Sequence, residues 1–361
     1  MPSADDEDLS LAEEELSPSR TRSKSNSNLN ECDPRGDLTL VASKKEHDGP
    51  SKVFLVCSRT LARISPVFDR MLYGSMAESQ SKNPTNWTVN LPEDDPKTLE
   101  LLLHICHGKW QNVPNLLSID DLFSLTMLTH YYDATHILSP WTPTWLASLP
   151  QPPSTDEIHL YKLLWISQEL GARYTFEVTA HRLIMECPGT TPHADLTSAL
   201  SGALPDLITR IDDIRPRTIH AMLTLYANLL DLLTVVDEKP RWCRHASYMG
   251  PHRCESMILG SMTFCLTRAG LWPVPEAEEV RDSVAGLHRA LSGLVIHDIG
   301  RVGKEGVDHG ACNPRGFLRE RLQRIVADME DPLGEEDRKR VEAQGRKMGG
   351  GAGVEQGKEA C

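Results

Sequence analysis

Between Asp37 and Tyr132 the apolar residues of this chain change period several times, and few folds accommodate the order in which they do so. DLTLVAS (37–43) and SKVFLVCS (51–58) are short runs rich in β-branched and aromatic residues. A polar segment holding Asp48, Gly49 and Pro50 divides them, so the pair reads as a hairpin. RTLARISPVFDRMLYGS then puts Leu61, Ile64, Phe68, Met71 and Leu72 at helical intervals, with Pro66 marking a fresh start. NWTVNL returns to period two, setting Trp87, Val89 and Leu91 on one face of a third strand. Asp95 supplies a cap and Pro96 a first-turn residue for a helix striped by Leu99, Leu102, Leu103 and Cys106 and ended by Gly108. Ser118 and Asp121 form a capping pair for a further helix through Leu122, Leu125, Leu128 and Tyr132. The order is strand, strand, helices, strand, helix, helix, which is an α+β domain.

That series resembles the BTB/POZ domain over roughly residues 37–139. The residues that carry the likeness are Phe54, Val56 and Leu61, then Ser65-Pro-Val-Phe68 and Met71-Leu72, with Asp37, Leu38 and Leu40 matching the opening strand. LPEDDP followed by LLLHICHG, then Leu122 to Tyr132 and the Pro140-Trp141 to Trp145 segment, is similar to the fungal branch of the family. Many animal members carry an Ala-His pair where Val56-Cys57 stands here, so no role of that histidine transfers. Neither kelch repeats nor a zinc-finger tandem follows. The resemblance implies a domain for association, with itself and with partner proteins, and implies no chemistry. It also singles out Met76-x-Glu78, similar to the apolar-x-Glu element by which BTB adaptors meet the cullin of a ubiquitin ligase. A methionine offers an adaptable apolar contact and a carboxylate a charged rim anchor. An ordinary surface loop with a Met and a Glu is the competing reading.

The remaining chain divides by composition. Residues 1–34 join acidic runs to a Ser/Asn/Arg stretch with few large apolar residues, too few to offset ordering entropy, so a disordered tail is expected. The domain is expected over 35–140 and a Trp/Pro linker over 141–154. EIHLYKLLWISQELG, FEVTAHRLIM, LPDLITRIDDI and TIHAMLTLYANLLDLL show helical spacing, so 155–240 is expected to be all helical. A Cys/His-containing helical region is expected over 241–330 and a flexible charged, glycine-rich tail over 331–361.

In the Cys/His region, Cys243 and Cys254 flank His245 and His252, and His309-Gly-Ala-Cys312 lies far downstream. Cys243, Cys254, His309 and Cys312 together are four soft or borderline donors, the set that tetrahedral Zn²⁺ takes in closed structural sites. The fungal BTB proteins carry a similar Cys-rich start and His-x-x-Cys end, joined by a segment like ILGSMTFCLTRAGLWPVP. The first pair is spaced more widely than a Cys-x-x-Cys knuckle, so a structural zinc stands beside separate reduced thiols with exposed histidines. Cys265 falls in a helical stripe with Met257, Ile258 and Met262 and reads as core.

A net charge of -13 with no Lys/Arg cluster argues against nucleic-acid binding. The longest apolar stretch, Ala221 to Val236, is short for a bilayer span and carries Asn228 and Asp231, so no membrane association is expected. The start MPSADDEDLS is no secretory signal, which implies an intracellular protein whose nine cysteines stay reduced. RTRSK is too short and weakly basic to decide between nucleus and cytoplasm. No nucleophile elbow, phosphate loop or dinucleotide fingerprint is present, so an enzyme is not expected. The functional expectation is therefore an interaction scaffold: a cullin-ligase substrate adaptor, a self-associating scaffold with no ubiquitin role, or a chain with a zinc-stabilised C-terminal module.

Overall fold

A computed structural model of the chain describes residues 29–43, 51–76, 78–79, 87–150, 156–188, 200, 204–235, 240–245, 252–302 and 307–349. Strands β2 (Leu38–Ala42) and β3 (Lys52–Val56) pair antiparallel, Leu38 opposite Val56 and Ala42 opposite Lys52, as the hairpin reading requires. Strand β4 (Thr88–Leu91) runs parallel to β2. Strand β1 (Leu29–Glu31) runs parallel to β3, giving the order β1-β3-β2-β4. Period two decides the faces: Leu38, Leu40, Ala42, Phe54, Val56 and Val89 are buried, and the residues between them reach the surface.

The helices that cover the sheet start where the capping residues stand. The Asp37 carboxylate accepts both the backbone N–H and the hydroxyl of Ser58 (2.8 and 2.6 Å) at the first turn of α1 (Ser58–Ile64). Ser65 caps α2 (Pro66–Tyr73) by accepting from the Phe68 N–H at 3.0 Å, and its own hydroxyl donates to the Tyr132 carbonyl. Phe68 stacks on Tyr132 with ring centroids 4.1 Å apart. Asp95 caps α3 (Pro96–Cys106) through the Thr98 N–H at 2.8 Å, and Ser118 caps α4 (Ile119–Tyr131) through the Asp121 N–H at 3.1 Å.

The segment expected as a Trp/Pro linker contains helix α5 (Thr142–Ser148), because Trp145 is fully buried and its indole N–H donates to the Pro114 carbonyl at 2.9 Å. Helices α6 (Glu157–Glu169) and α7 (Arg173–Glu186) continue the same apolar core through Leu164, Trp165 and Phe176. Next comes α8 (Pro205–Thr234), a single 30-residue helix where the sequence suggested two. Pro216 lies inside it, lacking the N–H that would bond the carbonyl one turn back, and the helix crosses that gap without ending. Up to Ile214 the buried residues of α8 belong to the first core, and from Ile219 onward to a second. The boundary between the two cores thus lies near Pro216, inside the helical region expected over 155–240.

The second core gathers the later half of α8, α9 (Arg253–Arg268), α10 (Val284–Ser292) and α11 (Arg315–Ala327), with a small ladder between β5 (Arg301–Val302) and β6 (Val307–Asp308). Two expected tails need correction. Residues 29–31 are a sheet strand, whereas residues 1–28 of the tail lie outside the described residues. Residues 331–349 are not a flexible tail: helix α12 (Glu335–Lys347) buries Val341, and Leu333 and Met348 flank it in the first core. Asp337, itself buried, pairs with Arg210, Gln344 donates to the Glu169 carbonyl at 2.9 Å, and Ser139 donates to the Met348 carbonyl at 2.6 Å. Gly171, at φ +70, meets Gly345 so closely that a Cβ on it would lie 2.3 Å from the Gly345 Cα, so α12 docks here because residue 171 has no side chain. The residues after 349 lie outside the described ones.

Candidate metal centre and partner face

At one end of the second core, four side chains from three segments converge. Cys243 follows α8, Cys254 sits in the first turn of α9, and His309 precedes and Cys312 ends the short 3₁₀ turn Gly310–Cys312 that leads into α11. All four are buried, and one ligand atom from each lies within 4.8 Å of the others. The Cys243 Sγ is 3.6 Å from the His309 Nδ1 and 3.9 Å from the Cys312 Sγ. Cys254 lies at the N-terminus of α9 and Cys312 just before that of α11, where the partial positive charge of the helix end favours thiolates. Burial pushes the thiols of Cys243 and Cys254 up, and for Cys254 the neighbouring Cys243 adds to the shift. A cation entering the cluster would therefore displace protons. Three thiolates and an imidazole match the donor number and softness of a tetrahedral Zn²⁺ site. The structure thus brings together the four expected donors and leaves the other two histidines outside. His245 is exposed with its ring edge-on to His309 at 5.7 Å, and His252 is partly exposed beside Glu255.

Two further residues that the sequence reading passed over hold the donors in place. Glu255, 2% exposed, accepts the backbone N–H groups of Trp242 and Cys243 on one carboxylate oxygen, while the other faces the His252 Nδ1 at 3.3 Å. The Trp242 indole N–H donates to the Cys312 carbonyl at 2.6 Å, and its ring meets Phe317 edge-on. On the other side, Asn313 donates to the Ile296 carbonyl and to Asp298 at 2.9 and 3.0 Å, and the His309 N–H donates to the Gly300 carbonyl at 3.0 Å. In sequence, the only signal for Glu255 was its place directly after a candidate ligand at a helix start. Most glutamates at helix starts are exposed dipole partners, so that signal does not discriminate.

Met76 and Glu78 occupy the turn between α2 and β4, both exposed. Ser79 pins this turn: its hydroxyl accepts the Met76 N–H at 3.1 Å and faces the carbonyls of Gly74 and Met71. The Trp87 indole N–H donates to the Glu78 carbonyl at 2.9 Å. Glu78 stands at the edge of a groove of about 530 Å³, with Val67, Met71, Phe123, Met127 and Tyr131 among the side chains lining it and Glu93, Asp94 and Asp95 beside them. Tyr132 donates to Asp94 at its inner end; burial raises the Asp94 carboxyl above its ordinary range, and that hydrogen bond opposes the rise.

Compared with known families, residues 27–137 match the BTB/POZ domain, so a domain whose role is protein interaction occupies the first part of the chain. No curated protein and no solved structure matches the chain. Among the described residues, no helix is long and apolar enough to cross a membrane.

Proposed function

We propose that the chain is an interaction scaffold whose BTB/POZ domain serves as a substrate adaptor of a cullin-type ubiquitin ligase, with the helical region recruiting the target. The observation that carries this reading is the groove beside the pinned Met76–Glu78 turn. Its apolar lining gives a partner helix area to bury, and the acidic groups on its margin give the contact orientation and charge preference. In this reading the protein works inside the cell, where its thiols stay reduced, and the domain also pairs with a second copy of itself. Affinity purification of the tagged chain from its own cells tests it, beside a variant carrying Met76→Ala and Glu78→Arg. A cullin that accompanies the wild type and is lost from the variant supports the adaptor. Self-association with no cullin replaces the adaptor by a self-associating regulatory scaffold.

A second reading, for the C-terminal region, is a zinc-stabilised structural module held by Cys243, Cys254, His309 and Cys312. It is favoured by the convergence of four buried donors within 4.8 Å. Metal analysis after exhaustive dialysis tests it: near-stoichiometric zinc in the wild type, lost in Cys312→Ser, supports the module, and a metal-free wild type removes it.

A further inference from the structure

The cluster at residues 243–312 is flanked by a buried carboxylate for which the donors themselves have no need. Placing a carboxylate beside three thiols in the interior is unfavourable unless it is hydrogen-bonded, and Glu255 is, by two backbone N–H groups of the segment that presents Cys243. Cys243 and Cys254 are the two ends of a loop whose residues 246–251 lie outside the described ones, and Glu255 ties one end of that loop to the other. Trp242 extends the tie to the third segment through its indole N–H on the Cys312 carbonyl. All the segments carrying donors are therefore joined by hydrogen bonds that involve no donor side chain.

We propose that Glu255 and Trp242 are positioning residues that assemble the three-cysteine, one-histidine site before a metal ion arrives, so that Zn²⁺ is captured by a formed cradle. This rests on the zinc reading given above. Supporting partners that orient metal ligands are worth about 10–100-fold in affinity, because without them the ordering of the ligands must be met by the metal's own binding energy. The carboxylate acts through Oε1 as a twofold acceptor, so the amide oxygen of glutamine can replace it and alanine cannot.

The test uses the full chain and two probes: Zn²⁺ affinity by competition with a chromogenic chelator, and the absorption of the Co²⁺-substituted protein, whose bands report the ligand set and its geometry. Glu255→Ala is expected to bind Zn²⁺ about 10–100-fold more weakly at unchanged one-to-one stoichiometry and to broaden the Co²⁺ bands. Glu255→Gln is expected to stay within a few-fold of wild type with the wild-type spectrum. Trp242→Phe, which keeps an aromatic ring at this position and removes the indole donor with part of the ring, is expected to lose several-fold. Wild-type affinity and spectrum in both Glu255→Ala and Trp242→Phe overturn the positioning role while the zinc reading stands. A wild-type chain that binds neither ion overturns the zinc reading itself. If Glu255→Ala does not fold, the Gln and Phe variants decide the question, since equal and large losses in both would mean that the acceptor is not what matters.

Discussion

The two cores of this chain hold themselves together by different means. The first is filled by large, almost fully buried apolar side chains, Phe54, Phe68, Trp145, Trp165 and Phe176 among them, gathered from a sheet and from the helices packed with it. The second rests on the flank of one long helix, uses mainly Leu, Ile and Met, and closes one end with four metal-type donors instead of hydrocarbon. Apolar burial alone suffices for the first, because each fully buried large side chain is worth on the order of 1.5–3 kcal/mol. The second gives three of its buried positions to thiols in the cluster, so on the zinc reading proposed above it is the part whose stability would depend on an ion.

If the zinc reading holds, removing the ion is the sharpest way to separate the two. With excess chelator, or in Cys312→Ala, the second core is expected to lose its own melting transition while the first keeps its transition in place. Structural zinc in small modules supplies about 10–16 kcal/mol of apparent binding energy, more than a core of this kind can spare. Calorimetry with and without chelator checks this, and a single transition that chelator leaves unmoved would break the comparison.

The reverse experiment strikes the first core. Leu102 in α3 is fully buried, so Leu102→Ala should cost about 2–5 kcal/mol, read as a fall in the first transition alone. Hydrogen exchange should then show lost protection in β2 and β3 and unchanged protection in α10 and α11. Equal losses in both regions would mean that the cores unfold as one unit.

Pro216 tests the bridge. Its missing N–H leaves one gap in the ladder of α8 between Ile214 of the first core and Ile219 of the second. Pro216→Ala is expected to add on the order of 1 kcal/mol and to draw the two transitions closer together, since a continuous helix transmits unfolding from one core to the other. Transitions that stay apart would place the cause of the separation elsewhere than at Pro216.

What could be read beforehand follows the same division. The domain over 27–137 was legible because its signals are local: period two in DLTLVAS, a cap and a proline at Asp95-Pro96, a capping pair at Ser118 and Asp121. The donor set was legible as chemistry, since cysteines and a His-x-x-Cys pair stand out, but nothing local says that residue 254 meets residue 309. Helix α12 was missed because it is polar on nearly every face and is held by one buried valine, ion pairs and a glycine contact, none of which leaves an apolar stripe. Helix α8 runs on where the sequence suggested two helices: intrinsic preference disfavours proline inside a helix, and packing on two cores overrides that preference.

The smallest expected effect is a pH dependence confined to the first core. His107 ends α3 with its Nε2 accepting the Cys57 N–H at 3.0 Å and its Nδ1 at 2.9 Å from the Leu103 carbonyl, so the neutral ring protonated on Nδ1 is the form that fits. Burial lowers its pKa, as it does for His104 one turn away. A histidine whose folded pKa lies below the unfolded value contributes stability that is present above about pH 6.5 and is lost as pH falls through the folded pKa, because the unfolded chain takes up the proton first. Protonating Nε2 would also set two donors, the ring and the Cys57 N–H, against each other where β3 passes into α1. His130 has the opposite sign: its hydrogen bond to Glu169 raises its pKa, so its contribution is full below the unfolded value and fades as pH rises through the folded one. It is half exposed, and solvent screening keeps that opposing contribution small. The net expectation is a first transition that moves down modestly between pH 7 and 5, with most of the movement removed in His107→Gln; an unchanged slope in that variant would assign the pH dependence to other groups.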